Sequence, residues 1–275
     1  MNLTYQGILS DVRRQNYVEV PLPITKERLD EAAQYFLDFL TLPQQVKDTF
    51  RVFVNKDDPR TAAGYVSKKR AEGESDDKEY FNYRKISELL LQNPLRKNRG
   101  NQKVENFFNS AKNIFGEASE VLEQVISTLD QYHPGIHAKI FSQNAEKLLC
   151  LRFVKYNPVG KGEFLAKAHY DSGSCALALA ESAPGLRAGK NGQSLKEIVR
   201  SGNTGIFMPA FTFAEDICSE EFTATWHDVV QKSEDLLSET VARWALILFA
   251  DTNPERNSSY DDTHTAKTEG GQHES

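Results

Sequence analysis

Three side chains in this sequence have the types and spacing of a metal site. His169 and Asp171 stand two residues apart at the end of a strand-like run, in Ala168-His169-Tyr170-Asp171-Ser172-Gly173. In a strand, residues i and i+2 project from the same face, so an imidazole and a carboxylate can share one space while Tyr170 points outward or flanks its mouth. A His-x-Asp pair is common by chance and serves equally well as a simple hydrogen-bonded pair. His227, in Thr225-Trp226-His227-Asp228-Val229, adds a second imidazole from a later strand-like run. Two histidines and one carboxylate form the facial triad that holds non-haem iron(II) and leaves positions open for cosubstrate, substrate or O2. Zinc accepts similar donors but has no redox chemistry.

Further residues could serve such a centre. Arg243, in Val241-Ala242-Arg243-Trp244-Ala245, opens the most apolar strand-like run of the chain, and a guanidinium in that setting needs an anion, which it binds as a planar fork. Tyr156, in Phe153-Val154-Lys155-Tyr156-Asn157-Pro158, could donate a phenolic hydrogen bond to the same anion. Taken singly, each also reads as an ordinary strand residue. Phe207, Phe211 and Phe213 are candidates to line a substrate pocket, with core packing the equal alternative. His133-Pro134-Gly135-Ile136-His137 offers two histidines, but Pro134-Gly135 breaks the helix that would align them, so the segment reads as a loop. His264 and His273 lie in a polar tail and are expected to be solvated.

The elements that must carry these residues are legible as patterns. Tyr17–Leu22 alternates with period two, as a half-buried strand does. Thr25 then opens a helix with Leu29, Ala33, Phe36, Leu37 and Leu40 on one face, closed by Pro43. A second, long helix carries an apolar stripe from Val104 through Phe107, Phe108, Ala111, Ile114, Phe115, Ala118, Val121, Leu122, Val125 and Ile126 to Leu129, and stops at Pro134-Gly135. At about 1.5 Å per residue it extends roughly 40 Å, and its stripe requires a flat apolar partner, most simply a sheet. From Lys147 onward, short strand-like runs follow one another between turn signals: Leu148–Tyr156, Phe164–Tyr170, Cys175–Leu179, Gly205–Pro209, Phe211–Ala214, Thr223–Val230 and Val241–Phe249. Many short strands at such intervals predict a jelly roll. The expected fold is mostly β with flanking helices. Residues 1–252 read as one domain, with 1–140 mainly helical and 141–252 the jelly-roll core. Residues 253–275 are too polar to offset their ordering entropy and read as a disordered tail.

Composition narrows the partners. The 275 residues carry a formal net charge of −6, which disfavours nucleic acid. The basic clusters Lys68-Lys69-Arg70 and Arg96–Arg99 read as solvated loop charge. No apolar run is long enough to span a bilayer. The N-terminus lacks the pattern of a signal peptide, and three widely spaced cysteines, Cys150, Cys175 and Cys218, read as reduced thiols, so a cytoplasmic location is expected.

In order and spacing the motifs resemble the isopenicillin N synthase-like branch of the iron(II)/2-oxoglutarate-dependent oxygenases. The resemblance rests on Leu151–Pro158, His169-Tyr170-Asp171, Pro184-Gly185-Leu186-Arg187, His227 and Arg243. It extends to Ala63-Gly64-Tyr65 and Asp77-Lys78-Glu79-Tyr80-Phe81 in the N-terminal half. It implies a double-stranded β-helix core braced by helices, iron on His169, Asp171 and His227, and 2-oxoglutarate with its far carboxylate on Arg243 and Tyr156. It further implies oxidation of a small organic substrate by O2. The chain departs from the branch in having Ala245 where a serine usually assists the arginine, and a longer segment, Gln231–Glu239, before Arg243. Two alternatives therefore stay open: an iron oxidase of the same scaffold that draws electrons from its substrate or a reductant such as ascorbate, and a catalytically silent jelly-roll binding protein.

Overall fold

The computed structural model describes residues 3–53, 62–69, 77–141, 149–232 and 236–252. The tail 253–275, Arg70, Leu148 and Ser233-Glu234-Asp235 lie outside the described residues. Helices α1 (Tyr5–Gln15), α2 (Lys26–Leu40) and α3 (Gln44–Thr49) come first, with β1 (Val18–Pro21) between α1 and α2. Strands β2 (Arg51–Phe53), β3 (Ala62–Lys68) and β4 (Lys78–Tyr83) precede the short α4 (Ser87–Leu90) and α5 (Gln92–Lys97). The long α6 (Gln102–Asp130) and a short α7 (Ile136–Ile140) lead to β5 (Cys150–Tyr156), β6 (Phe164–His169), β7 (Cys175–Glu181), β8 (Leu186–Gly189) and β9 (Lys196–Glu197). The chain closes with β10 (Thr204–Pro209), α8 (Phe213–Asp216), β11 (Trp226–Val230) and β12 (Arg243–Ala250).

The strands form two antiparallel sheets, the larger ordered β1-β10-β7-β12-β5-β4-β3-β2 and the smaller β6-β11-β8-β9. Strand periodicity sorts the side chains of the larger sheet between two cores. On β12, Trp244, Leu246, Leu248 and Ala250 join the helices, whereas Ala245, Ile247 and Phe249 face the opposite way. On β5, Leu151 and Phe153 go to the helical core, and Val154 and Tyr156 to the other. A central strand covered on both faces must be apolar throughout, which is why Trp244–Phe249 reads as the most apolar run.

The helices cover one face of the sheet. The expected stripe of α6 is buried from Val104 to Leu129, with Phe115 half-buried at its margin. It packs on α2 and on β4, β5 and β12. Phe107 stands where these elements meet, with the rings of Phe39, Phe81 and Phe153 centred 5.1, 4.9 and 5.2 Å away. The side chain of Asn101 caps the N-terminus of α6 by accepting from the Lys103 amide.

Four parts of the fold differ from the sequence reading. Helix α1 is additional. Beyond β1, which falls within the expected Tyr17–Leu22 strand, the N-terminal half contributes β2–β4 to the larger sheet, and β8 and β9 are too short to stand out as patterns. Phe211–Ala214 is not a strand. The Phe211 and Thr212 amides donate to the Asp171 and Gly173 carbonyls, and Thr212 holds the Asp216 side chain, so the chain turns into α8.

The N-terminal signature acquires a structural meaning. Gly64 has φ +97°, and a Cβ there would lie 1.9 Å from the Phe50 carbonyl oxygen, so only glycine fits. Tyr65 and Glu79 meet across β3 and β4. Glu79 Oε1 accepts from the Tyr65 hydroxyl at 2.6 Å and from Lys47 Nζ at 2.9 Å, and Oε2 accepts from Lys155 Nζ at 3.0 Å. Burial alone would raise the Glu79 carboxyl, but these three donors hold it below its ordinary value. Glu79→Gln leaves two buried ammonium groups facing a neutral amide and should cost about 3 kcal/mol at pH 7. A group with a lowered pKa in the fold stabilises above its unfolded value and loses that contribution as pH falls through the folded one. In urea unfolding, the gap to wild type should therefore hold from pH 7 to about pH 5 and narrow on further acidification. A gap under about 0.5 kcal/mol at pH 7, or one that widens in acid, would contradict this account.

Candidate metal centre and its cavity

His169 ends β6 and His227 lies directly opposite it on β11. Next to this pair the ladder slips, with Lys167 and Ala168 of β6 facing Asp228 alone, a bulge of the kind that re-aims a side chain. The two imidazole rings are centred 4.4 Å apart. Asp171, just past β6, reaches both, with Oδ1 3.7 Å from His169 Nε2 and Oδ2 3.7 Å from His227 Nε2. One donor atom from each of the three lies within 4.8 Å of the others. Two metal bonds of about 2.1 Å span up to about 4.2 Å, enough for the two 3.7 Å separations.

The imidazoles are oriented for this role. His169 Nδ1 is 2.7 Å from the Lys167 carbonyl and His227 Nδ1 is 3.1 Å from the Thr225 carbonyl. Each carbonyl fixes the proton on Nδ1 and leaves the Nε2 lone pair directed at the shared space, the usual arrangement of metal-bound histidine. Burial alone would raise the Asp171 carboxyl, but the two imidazoles hold it far below the ordinary carboxylate range. Burial pushes His227 down, against the pull of Asp171. Burial would also lower His169, but Asp171 carries it above its ordinary value. At neutral pH the site thus presents an ionised carboxylate and a neutral His227, as metal binding requires.

The strand bearing His227 is held from its other side. On β8, Arg187 Nε donates to Asp228 Oδ1 at 2.7 Å, neutralising the buried acid beside His227. Gly185, with φ +131°, lets the Val230 carbonyl oxygen approach to where a Cβ would lie 2.1 Å from it. Pro184–Arg187 therefore acts by docking β8 onto β11. Tyr170 is exposed and its ring meets that of Trp226 outside the site.

The triad opens on a cavity between the sheets, with an empty volume of about 660 Å³ counted to its mouth. Arg243 and Tyr156 both line it, directly opposite each other on β12 and β5. Arg243 is 3% exposed, donates from Nε to the Ala183 carbonyl at 2.9 Å, and has Nη2 3.8 Å from Glu181 Oε2. Glu181 is held in turn by a two-pronged contact with Arg200, with Nε donating to Oε1 at 2.8 Å. Ala245 lies next along β12, also on the cavity wall and paired with Glu181. The candidate metal ligands and the candidate anion clamp thus share one enclosure.

The three phenylalanines are a correction, since none lines this cavity. Phe207 and Phe213 are fully buried in the helical core with rings 5.6 Å apart, and Phe211 is 47% exposed. On β10 the alternation places Met208, not Phe207, on the cavity side. The histidines of the Pro134-Gly135 segment take separate partners, His133 the Tyr5 hydroxyl and His137 the Glu123 carboxylate, and His137 lies in α7 and not in a loop. Lys78, Arg152 and Glu181 also line the cavity and have no role in the sequence reading. Arg152 was within reach, since counting back from Tyr156 in steps of two puts it on the same face. Among the described residues, no helix is long and apolar enough to cross a membrane.

No protein-family model matches the sequence, and no curated protein matches it. Solved structures do match. A full-length Neurospora crassa protein, solved in complex with alpha-KG, has a TM-score of 0.68 at 17% identity over 92% of this chain and 85% of that one. AtDAO1, the dioxygenase for auxin oxidation 1 of Arabidopsis thaliana, in its 2-oxoglutarate complex, has a TM-score of 0.65 at 16% identity, covering 91% of this chain and 88% of that one. The dioxygenase for auxin oxidation of rice has a TM-score of 0.63 at 12% identity, covering 90% and 80%. At these identities the shared property is the fold: this chain has the jelly-roll architecture of those structures.

Proposed function

We propose that this chain is an iron(II)- and 2-oxoglutarate-dependent oxygenase that oxidises a small organic molecule. The observation that carries this reading is the convergence of His169, Asp171 and His227 on one point of a cavity whose wall also holds Arg243 and Tyr156. The donor set fits iron(II), with two oriented imidazoles, one ionised carboxylate and open space before them. Iron bound there would supply O2 activation, with 2-oxoglutarate, R–H and O2 giving succinate, CO2 and R–OH. Arg243 receives the far carboxylate of 2-oxoglutarate and Tyr156 adds a phenolic donor beside it. Met208, Ile247 and Phe249 form an apolar wall that limits water near the reacting groups. The cavity's lining, an apolar wall with a few convergent charged groups, suits a small molecule, and the Neurospora crassa and auxin-oxidising structures share the fold that surrounds it.

Anaerobic loading with iron(II), then O2 with and without 2-oxoglutarate, tests the reading. Succinate should form only when both are present. Ala245 and the acid Glu181 beside Arg243 favour a second reading, an oxidase of the same scaffold supported by a reductant such as ascorbate. Stoichiometric iron binding and O2 consumption with no succinate would select it. Failure to bind iron near stoichiometry would leave only a jelly-roll binding module.

A further inference from the structure

The cavity has a second cationic end, which neither the triad nor the Arg243 clamp uses. Arg152 lines it from β5, on the same strand face as Val154 and Tyr156. Its guanidinium lies between two rings, 4.7 Å from the centroid of Tyr80 and 4.9 Å from that of Phe249. Its Nε donates to Asn82 Oδ1 at 2.9 Å. The fork is thereby held against two rings and at one edge, and its terminal nitrogens make no hydrogen bond or ion pair among the described residues. Other arginines at the sheet interface are matched to acids, Arg187 to Asp228 and Arg200 to Glu181. The carboxylate on which the Arg152 charge acts is Asp171, which the imidazoles already engage.

Charge and length point the same way. Lys78, Arg152 and Arg243 face Asp171 and Glu181 around the cavity. Glu181 is matched by Arg200 and Asp171 by the imidazoles, so the charge of Arg152 stands in a space of low polarity, where an unmatched charge is costly. Arg152 and Tyr156 are four residues apart on one strand, about 13 Å along its axis. A five-carbon diacid held at Arg243 and Tyr156 is too short to reach the fixed Arg152 fork as well.

Resting on the oxygenase reading, we propose that Arg152 is the substrate clamp and that the substrate is a monocarboxylic acid with an apolar body. The carboxylate takes the planar fork bidentately. The body lies along Ile247, Phe249 and Met208 toward the metal, between the two clamps. The electrostatic match sets specificity, since a neutral amide of the same shape leaves the guanidinium without its counter-charge.

The test uses the full chain loaded with iron(II) and 2-oxoglutarate under nitrogen. Calorimetric titrations compare phenylacetate and 3-phenylpropanoate with their primary amides, while the visible absorption of the ferrous 2-oxoglutarate chelate is followed in parallel. At least one acid should bind tenfold or more tighter than its amide, with the chelate absorption retained. Arg152→Gln should remove that preference, and Arg152→Lys should keep part of it. Loss of the absorption on adding acid would place the acid on Arg243 and overturn the clamp while leaving the oxygenase reading intact. Equal binding of acid and amide, failure of both acids to bind at millimolar concentration, or unchanged binding by Arg152→Gln would also overturn it. Absence of the chelate absorption in the wild-type protein would instead count against the oxygenase reading itself.

Discussion

Asp171→Ala should give a folded protein that neither retains iron(II) nor turns over. The carboxylate stands 3.7 Å from each of two imidazoles, so in the proposed centre its loss removes one of three ligands and the negative charge that would balance the ion. Changes one shell further from a metal already cost about 10- to 100-fold in affinity, so removal of a ligand should exceed 100-fold. Folding should survive because His227 is held neutral at pH 7 by its burial, and Arg152, whose charge acts on Asp171, keeps Asn82 and the rings of Tyr80 and Phe249. A metal-free readout separates the charge effect from catalysis. His169 is held above its ordinary value by Asp171, against burial that alone would lower it. In chelator-treated protein the His169 titration, followed by NMR, should therefore move to lower pH in the variant. Turnover near the wild-type rate, or stoichiometric iron retained by Asp171→Ala, would show that the metal is held elsewhere.

The sequence revealed parts of the site and fold for definite physical reasons, and hid others for equally definite ones. His169 and Asp171 were legible because strand geometry turns a two-residue spacing into a shared face, and α6 because eleven buried side chains repeat on one stripe. Helix α1 was missed although Ile8, Leu9 and Val12 share a face and Thr4 and Asn16 cap it, since three apolar residues make a short stripe. Strands β3 and β4 carry charged and aromatic residues whose partners lie across the sheet. The Glu79 cluster with Tyr65, Lys47 and Lys155 joins three regions of the chain, and no local pattern announces it. The phenylalanines failed for the opposite reason. Aromatic content marks a buried position but not which of two buried faces, and in a sheet covered on both sides Phe207 and Met208 differ only in that choice. Glu181 was hidden by a bulge. The β7–β12 register shifts between Leu246 and Ile247, so counting in steps of two along β7 loses the face on which Glu181 stands.

Arg243→Leu should raise the 2-oxoglutarate concentration needed for half-maximal turnover by about 100-fold or more and leave iron binding unchanged. Hydrogen bonds to a charged partner contribute about 1.5–3 kcal/mol each, and a carboxylate on the guanidinium fork makes two of them. The loss should fall on the cosubstrate, because Arg243 is on β12, whereas the triad sits on and beside β6 and β11 of the other sheet. The fold should tolerate the change. Leucine has a similar apolar character to the rest of β12, and Glu181 keeps its two-pronged contact with Arg200 when Arg243 is gone. The remaining defect is the Ala183 carbonyl, which loses its donor. The same variant separates the two chemical readings. In a 2-oxoglutarate-dependent enzyme, iron affinity holds while succinate formation collapses at low cosubstrate and recovers at high. In an oxidase that uses no 2-oxo acid, Glu181 is the natural partner of Arg243, and the variant would consume O2 at the wild-type rate. An unchanged dependence on 2-oxoglutarate, with succinate still formed, would move the carboxylate clamp to another cation of the cavity, of which Lys78 is the nearest in the ladder, paired with Tyr156 on β4 and β5.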